Sequence, residues 1–356
     1  VRLVGSEMCI RDRFLMWKIT TKAIQKQPIT GTSLGGFPAA YAETQAEYMA
    51  SGKATEQEKL VAGCPEYAFN EYLQIGLEQG LVGLALFIGW LGLLFYKGIK
   101  NKRYACCGGL MSLAIFAFSS YPLQLPEFWV VLIFLGVMSV TPDKDEIREN
   151  QAESNGHRWG KQIFFMGIAI LGIGLFWMQK DHYKAYQQWN KAQMFYNNKA
   201  YEAALEVYEP LYPLLKHKPE FLFEAAQSLS KTGQYEKANE YLERAVLLSS
   251  DPMLYYVMAK NEQCLGEYRQ AEKHLLHAID ILPERIYPYY LLMNLYTEPS
   301  YFQPAKLKMA IDSVLTKKPK VESSAIKEMK EKARSMLNNT SCLLYTSPSP
   351  RDGLLS

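Results

Sequence analysis

The chain has 356 residues, 49% of them hydrophobic, a formal net charge of +3 and a mean hydropathy of −0.15. The near-balanced charge forms no basic stripe, which excludes a nucleic-acid-binding reading. These averages join two unlike halves, because charged residues are sparse from Gly80 to Val140 and abundant after Asp181.

Residues 1–13 and 341–356 are expected to be foreign to the protein. Leu3 to Asp12 can be written as DNA whose other strand, in a different frame, encodes Leu-Leu-Tyr-Thr-Ser-Pro-Ser-Pro-Arg. That is the string Leu343 to Arg351. Unrelated termini do not come out as reverse complements, and the DNA resembles the transposon-end adapter of sequencing libraries. Both ends are set aside from fold reasoning, and the protein is expected to continue upstream of Phe14. Cys64, Cys106, Cys107 and Cys264 then remain, in neither CxxC nor Cys/His ligand spacing, so no metal site or disulfide framework is expected.

Residues 14–70 read as an extracytoplasmic loop. A helix near Trp17–Lys26 leads to the turn-rich Pro28-Ile-Thr-Gly-Thr-Ser-Leu-Gly-Gly-Phe37. Gly31, Gly35 and Gly36 could let backbone amides approach a phosphate, but a plain turn is the better reading of them from the residues alone. The Gly-Lys-Ser/Thr ending of a P-loop is missing.

From Asn70 the chain is expected to run without a break into a membrane helix. At helical spacing Glu71, Gln74 and Glu78 share about a 60° arc, with Gly76, Gly80 and Gly83 opposite. Carboxylates at a membrane rim normally face a protein cavity, and a glycine stripe admits a close neighbouring helix. Alternatively, the polar side chains simply reach interfacial water at an ordinary helix end.

Residues 71–179 hold four apolar runs, about Leu73–Tyr96, Tyr104–Tyr121, Leu125–Val140 and Ile163–Met178, read as four transmembrane helices. Lys97, Lys100, Lys102 and Arg103 crowd the first connection, Lys144, Arg148, Arg158 and Lys161 the third, and no basic residue the second. The positive-inside rule makes the first and third connections cytoplasmic. Phe14–Asn70 and everything after Gln179 then lie outside.

Residues 180–340 repeat. Ala204, Ala238, Ala271 and Ala305 recur near the 34-residue tetratricopeptide (TPR) period, with Tyr201, Tyr235, Tyr268 and Phe302 three residues before each. Three or four units and a terminal helix at Ser323–Leu337 are expected, forming a solenoid that offers a surface to partners. Tyr255, Tyr256, Tyr287, Tyr289 and Tyr290 serve repeat packing or stacking against sugar or peptide. The fold class is all-α: membrane helices followed by a TPR α-solenoid.

Residues 14–140 resemble the C-terminal part of the O-antigen ligase/polymerase superfamily of bacterial membrane glycosyltransferases. The Pro28–Phe37 passage is similar to the opening of that family's periplasmic loop. Asn70, nine residues, Gly80, two residues and Gly83 match the ligase motif, with Phe69 in place of the motif histidine. The resemblance implies transfer of a glycan from undecaprenyl pyrophosphate to an acceptor hydroxyl, in cell-envelope polysaccharide synthesis. It implies a bacterial inner membrane location with the repeats in the periplasm. Glu66, Glu71 or Glu78 would be base or orienting group, and Asn70 would hold a hydroxyl. Lys53, Lys59, Gly35 and Gly36 would contact substrate phosphate. Phe14–Tyr96 contains no arginine, so the family's loop arginines would lie upstream. No cofactor or metal is implied. Partners would be the lipid-linked glycan, the bilayer, and a periplasmic protein or glycan acceptor bound by the repeats. The alternatives are a non-catalytic membrane-anchored TPR scaffold for envelope assembly and a protein O-oligosaccharyltransferase.

Overall fold

The computed structural model describes residues 2–141, 166–167, 170–172, 174, 177, 179–319 and 322–345. All regular structure among them is helical. In chain order the helices are α1 (Arg2–Lys26), α2 (Phe37–Ala50), α3 (Glu56–Val61), α4 (Glu71–Glu78), α5 (Gly80–Lys100), α6 (Tyr104–Ser119), α7 (Pro126–Val140), α8 (Lys180–Asn197) and α9 (Tyr201–Leu215). The later ones are α10 (Pro219–Lys231), α11 (Tyr235–Val246), α12 (Met253–Leu265), α13 (Tyr268–Ile281), α14 (Ile286–Leu295), α15 (Pro304–Thr316) and α16 (Ser324–Tyr345). Two compact units form: Val1–Leu15 with Ala42–Cys64 and Leu222–Ser356, and Met16–Tyr41 with Pro65–Phe221.

The second of these carries the apolar helices. Small residues set the crossings of α5, α6 and α7. A Cβ on Gly98 would meet Cys107 Sγ at 2.6 Å, and one on Gly136 would meet Leu94 Cδ1 at 3.2 Å. Close backbone approach of this kind is how apolar helices associate where no hydrophobic driving force separates them from lipid. Leu94, Leu110 and Leu132 close the packed centre, while Leu86, Leu93, Ile115, Val130 and Phe134 face outward. Among the described residues α5 alone is long and apolar enough to cross a membrane; α6 and α7, with 16 and 15 residues, are shorter. The fourth apolar run, 163–178, and the basic residues of the third connection fall largely outside the described residues.

The expected unbroken helix through residues 71–96 is interrupted. Gly80 takes φ +71°, and a Cβ there would sit 2.0 Å from the Ile29 carbonyl oxygen. The Leu77 and Glu78 carbonyls leave the helix ladder and accept from the Thr32 and Ser33 amides at 2.9 and 3.0 Å, while Leu81 N–H donates to the Pro28 carbonyl at 2.8 Å. Only glycine tolerates both that conformation and that approach. The three glycines therefore do not form one helix-packing face. Gly76 abuts Ile24 of α1, Gly80 abuts the Pro28–Ser33 turn, and Gly83 abuts its own Gln79.

The other unit holds the repeats. Gly233 and Gly266 end α10 and α12 with φ of +83° and +80°. Each makes the paired amide-to-carbonyl bonds of a Schellman cap, Gly233 to Ser230 with Gln234 to Leu229, and Gly266 to Gln263 with Glu267 to Glu262. Ala238 and Ala271 are fully buried where the following helices cross. The fourth repeat departs from the sequence expectation. Ala305 is exposed and Phe302 is 49% exposed, whereas Leu307, Ile311 and Val314 occupy the positions of Ala238, Leu242 and Ala245. An added 3₁₀ turn at Pro299–Tyr301 displaces the helix start, so the alanine spacing there is coincidental. Of the tyrosines, Tyr256 is buried; Tyr255, Tyr287, Tyr289 and Tyr290 pack half-buried against the same core.

Ala42–Cys64 belongs to this unit. Gln45, with no exposed surface, donates from Nε2 to the Ile281 carbonyl at 2.8 Å and to the Gly63 carbonyl at 3.0 Å. His277 Nε2 lies 3.4 Å from Glu43 Oε2. Thr55 and Glu58 form a capping box that starts α3, and Tyr48 donates to Glu58 Oε2 at 3.0 Å.

Candidate functional site

The polar face read from helical spacing is buried as a group. Asn70, Glu71, Gln74 and Glu78 are 4, 1, 4 and 7% exposed. Buried polar atoms require partners, and each of these side chains has at least one. Asn70 caps α4 by accepting from Leu73 N–H at 3.1 Å through Oδ1. Its Nδ2 has no hydrogen-bond partner among the described residues and remains available as a donor. Gln74 accepts from Ala68 N–H at 2.8 Å and donates to Glu78 Oε1 at 3.0 Å. Glu78 also accepts from the amides of Gly35 and Phe37. The glycine loop and α4 thus meet, with Gly35 spending its amide on a carboxylate; Gly36 donates to the Ser33 carbonyl at 3.1 Å.

Glu71 reaches across to the connection between α6 and α7. Its Oε1 accepts from Leu123 N–H at 2.7 Å, and Gln124 adds further hydrogen bonds. Burial pushes its carboxyl up to about 7 from an ordinary 4.5; the hydrogen bonds from Leu123 and Gln124 oppose that rise without cancelling it. A carboxyl poised there exchanges a proton near neutral pH, which is what general acid–base chemistry requires.

Phe69, at the position of the motif histidine, adopts φ +50°. A bulky residue in the left-handed region is strained and persists only where its surroundings hold it. Here Tyr121 meets the Phe69 ring edge-on at 4.9 Å and stacks on Tyr67 at 5.1 Å. Strained backbone, aromatic wall and raised carboxyl therefore share three consecutive residues, Phe69 to Glu71, and the facing connection.

Glu66 is exposed on the loop before them. Lys53 and Lys59 belong to the other unit: Lys53 is exposed, and Lys59 pairs with Glu56 at 2.7 Å and lines a cavity. Sequence reasoning missed Gln45, whose partner is 236 residues away. It also missed α3, although Thr55-Glu-Gln-Glu58 carries the capping-box pattern that would have located it.

Comparison with known proteins matches residues 5–88 to the O-antigen ligase family and residues 197–278 to a family described as anaphase-promoting complex, cyclosome, subunit 3. No curated protein sequence matches. Among solved structures, MamA from Desulfovibrio magneticus RS-1 aligns at 20% identity and TM-score 0.36, covering 47% of this chain and 98% of its own. A kinesin light chain of Podosopora anserina with TPR-like repeats aligns at 16% identity and TM-score 0.34, covering 47% and 98%. Those scores are too low to carry an argument. The chain thus joins an O-antigen ligase-type segment to a TPR-type helical region.

Proposed function

We propose that the chain is part of an O-antigen ligase-like membrane glycosyltransferase, moving a glycan from undecaprenyl pyrophosphate to an acceptor hydroxyl in envelope polysaccharide synthesis. The observation that carries this reading is the buried Glu71 carboxyl, raised to about 7, within the segment matched to that family. Glu71 takes the proton from the attacking hydroxyl, and Asn70 Nδ2 holds that hydroxyl or the departing phosphate oxygen. Glu78, tied to Gln74 and the glycine loop, orients the site, and Glu66 is exposed on the loop that leads to α4.

Four membrane helices with the loop and repeats on the periplasmic side of the inner membrane complete the proposal. Two contacts favour this topology. Glu71 joins the α6–α7 connection, so these two ends share one level. Asn101 Nδ2 donates to the Ser139 and Val140 carbonyls at 3.0 and 3.1 Å, so the basic connection shares a level with the end of α7.

The test is complementation of a deletion strain with the full-length gene. Glu71→Gln keeps an acceptor for Leu123 but cannot take a proton, and Asn70→Ala removes the amide. Both are expected to abolish glycan transfer with expression intact. Unchanged glycan profiles in both would leave a non-catalytic TPR scaffold as the reading, which the repeats themselves favour. Crosslinking of the repeats to secreted polypeptides would instead point to a protein O-oligosaccharyltransferase.

A further inference from the structure

Beyond α4, the feature combining most chemistry is a cavity of about 180 Å³ in the repeat unit. Lys59 of α3, Arg285 and Tyr287 at the start of α14, and Ile326 and Met329 of α16 contribute to its walls. Its charges are unequally matched. Lys59 pairs with Glu56 at 2.7 Å, and Glu284 pairs with Lys317 at 2.7 Å. The Arg285 guanidinium has no hydrogen-bond or ion-pair partner among the described residues. One surplus positive charge therefore lines the cavity, on an exposed, planar five-donor group matched to carboxylate or phosphate.

The remaining wall is mostly apolar, with Leu282, Ile286, Tyr287 and Pro319 on it. Lys260 Nζ contacts Tyr287 Oη at 2.6 Å, and Tyr256 meets the ring edge-on at 5.3 Å, which fixes the ring plane. The volume falls below the ~300–1,000 Å³ of pockets for drug-sized molecules, so the cavity suits a single ring. A cationic fork, an aromatic plane and aliphatic contacts around ring-sized space fit a pyranose bearing an acid group, whose C–H face packs on the tyrosine.

We propose that this cavity binds one acidic sugar residue, a hexose carrying a carboxylate or a phosphate, with Arg285 on the anion and Tyr287 against the ring. The inference rests on the glycan-transfer reading above and gives the repeat unit a role in choosing the glycan. Because Lys59 belongs to Ala42–Cys64, held by Gln45 to Ile281, the cavity is complete only while that segment is docked.

Titration calorimetry of the detergent-solubilised full chain tests it, with glucuronic acid, glucose 6-phosphate, glucose, inorganic phosphate and a peptide with a free C-terminal carboxylate as probes. At least one acidic sugar should bind saturably, roughly 10-fold or more tighter than glucose, inorganic phosphate or peptide; whichever binds tighter identifies the acid group. Arg285→Ala should weaken it roughly 10-fold or more, the worth of a charge-assisted hydrogen bond. Its melting temperature should not change, because Arg285 is exposed and unpaired. Equal binding of glucose, preference for the peptide, unchanged affinity in Arg285→Ala, or no acidic-sugar binding would each overturn the proposal. Any of these leaves the Glu71 and Asn70 complementation results standing, so the two failures are distinguishable.

Discussion

Replacing Glu71 with glutamine exchanges one oxygen for an amide and removes one titration. In the folded chain the carboxyl titrates near 7, against an ordinary 4.5 once unfolded. Between those values the folded protein holds a proton that the unfolded chain has released. Stability therefore falls as pH rises from about 4.5 to 7 and stays low above. A difference of about 2.5 pKa units corresponds to about 3 kcal/mol. The substituted amide's oxygen would still accept from Leu123 N–H, so the latch to the α6–α7 connection persists. Thermal unfolding of the detergent-solubilised chain, followed by tryptophan fluorescence, should find Glu71→Gln and wild type nearly equal at pH 4.5. By pH 8 the variant should be more stable by up to about 3 kcal/mol. A variant less stable at every pH, or a difference independent of pH, would refute the assignment of burial as the dominant influence on this group.

Gly80→Ala should destabilise the chain by ~2 kcal/mol or more, because φ +71° and a backbone oxygen 2.0 Å from the new Cβ leave no relaxation through a side chain; thermal unfolding would register this as a lowered midpoint. Lys199 sits at φ +61° where the next two repeats place glycine, with the same capping bonds from its own and the Ala200 amide. Lys199→Gly should accordingly raise stability by ~1 kcal/mol in the same assay. Gln45→Ala strips partners from the Ile281 and Gly63 carbonyls and should cost ~1–3 kcal/mol. Hydrogen exchange should quicken in residues 56–62 of that variant; unchanged protection there would mean that Gln45 does not hold the segment.

What the sequence disclosed depended on how local each interaction is. That Glu71, Gln74 and Glu78 share one face follows from helical spacing and needs no distant information. The repeat caps are local in the same way, since Gly233 and Gly266 occupy fixed offsets from Tyr235 and Tyr268. Ala305 misled because spacing alone cannot reveal a 3₁₀ turn that displaces the next helix. Gly80 was read as a packing residue because glycine in an apolar run has two uses, and the choice depends on the Pro28–Ser33 turn some fifty residues earlier. The partner of Glu71 at Leu123 is as distant, and that of Gln45 at Ile281 far more so. The family likeness located the segment that bears the raised carboxyl but could not supply the contacts that raise it.

The most direct assay of the proposed chemistry is the pH dependence of glycan transfer by the full-length enzyme in proteoliposomes, wild type beside Glu71→Gln. With Glu71 as base, kcat/KM for wild type should rise through an inflection near pH 7, and the variant should show neither that limb nor appreciable transfer. A Glu71→Gln enzyme that retains wild-type rates with the same inflection would remove Glu71 from the reaction.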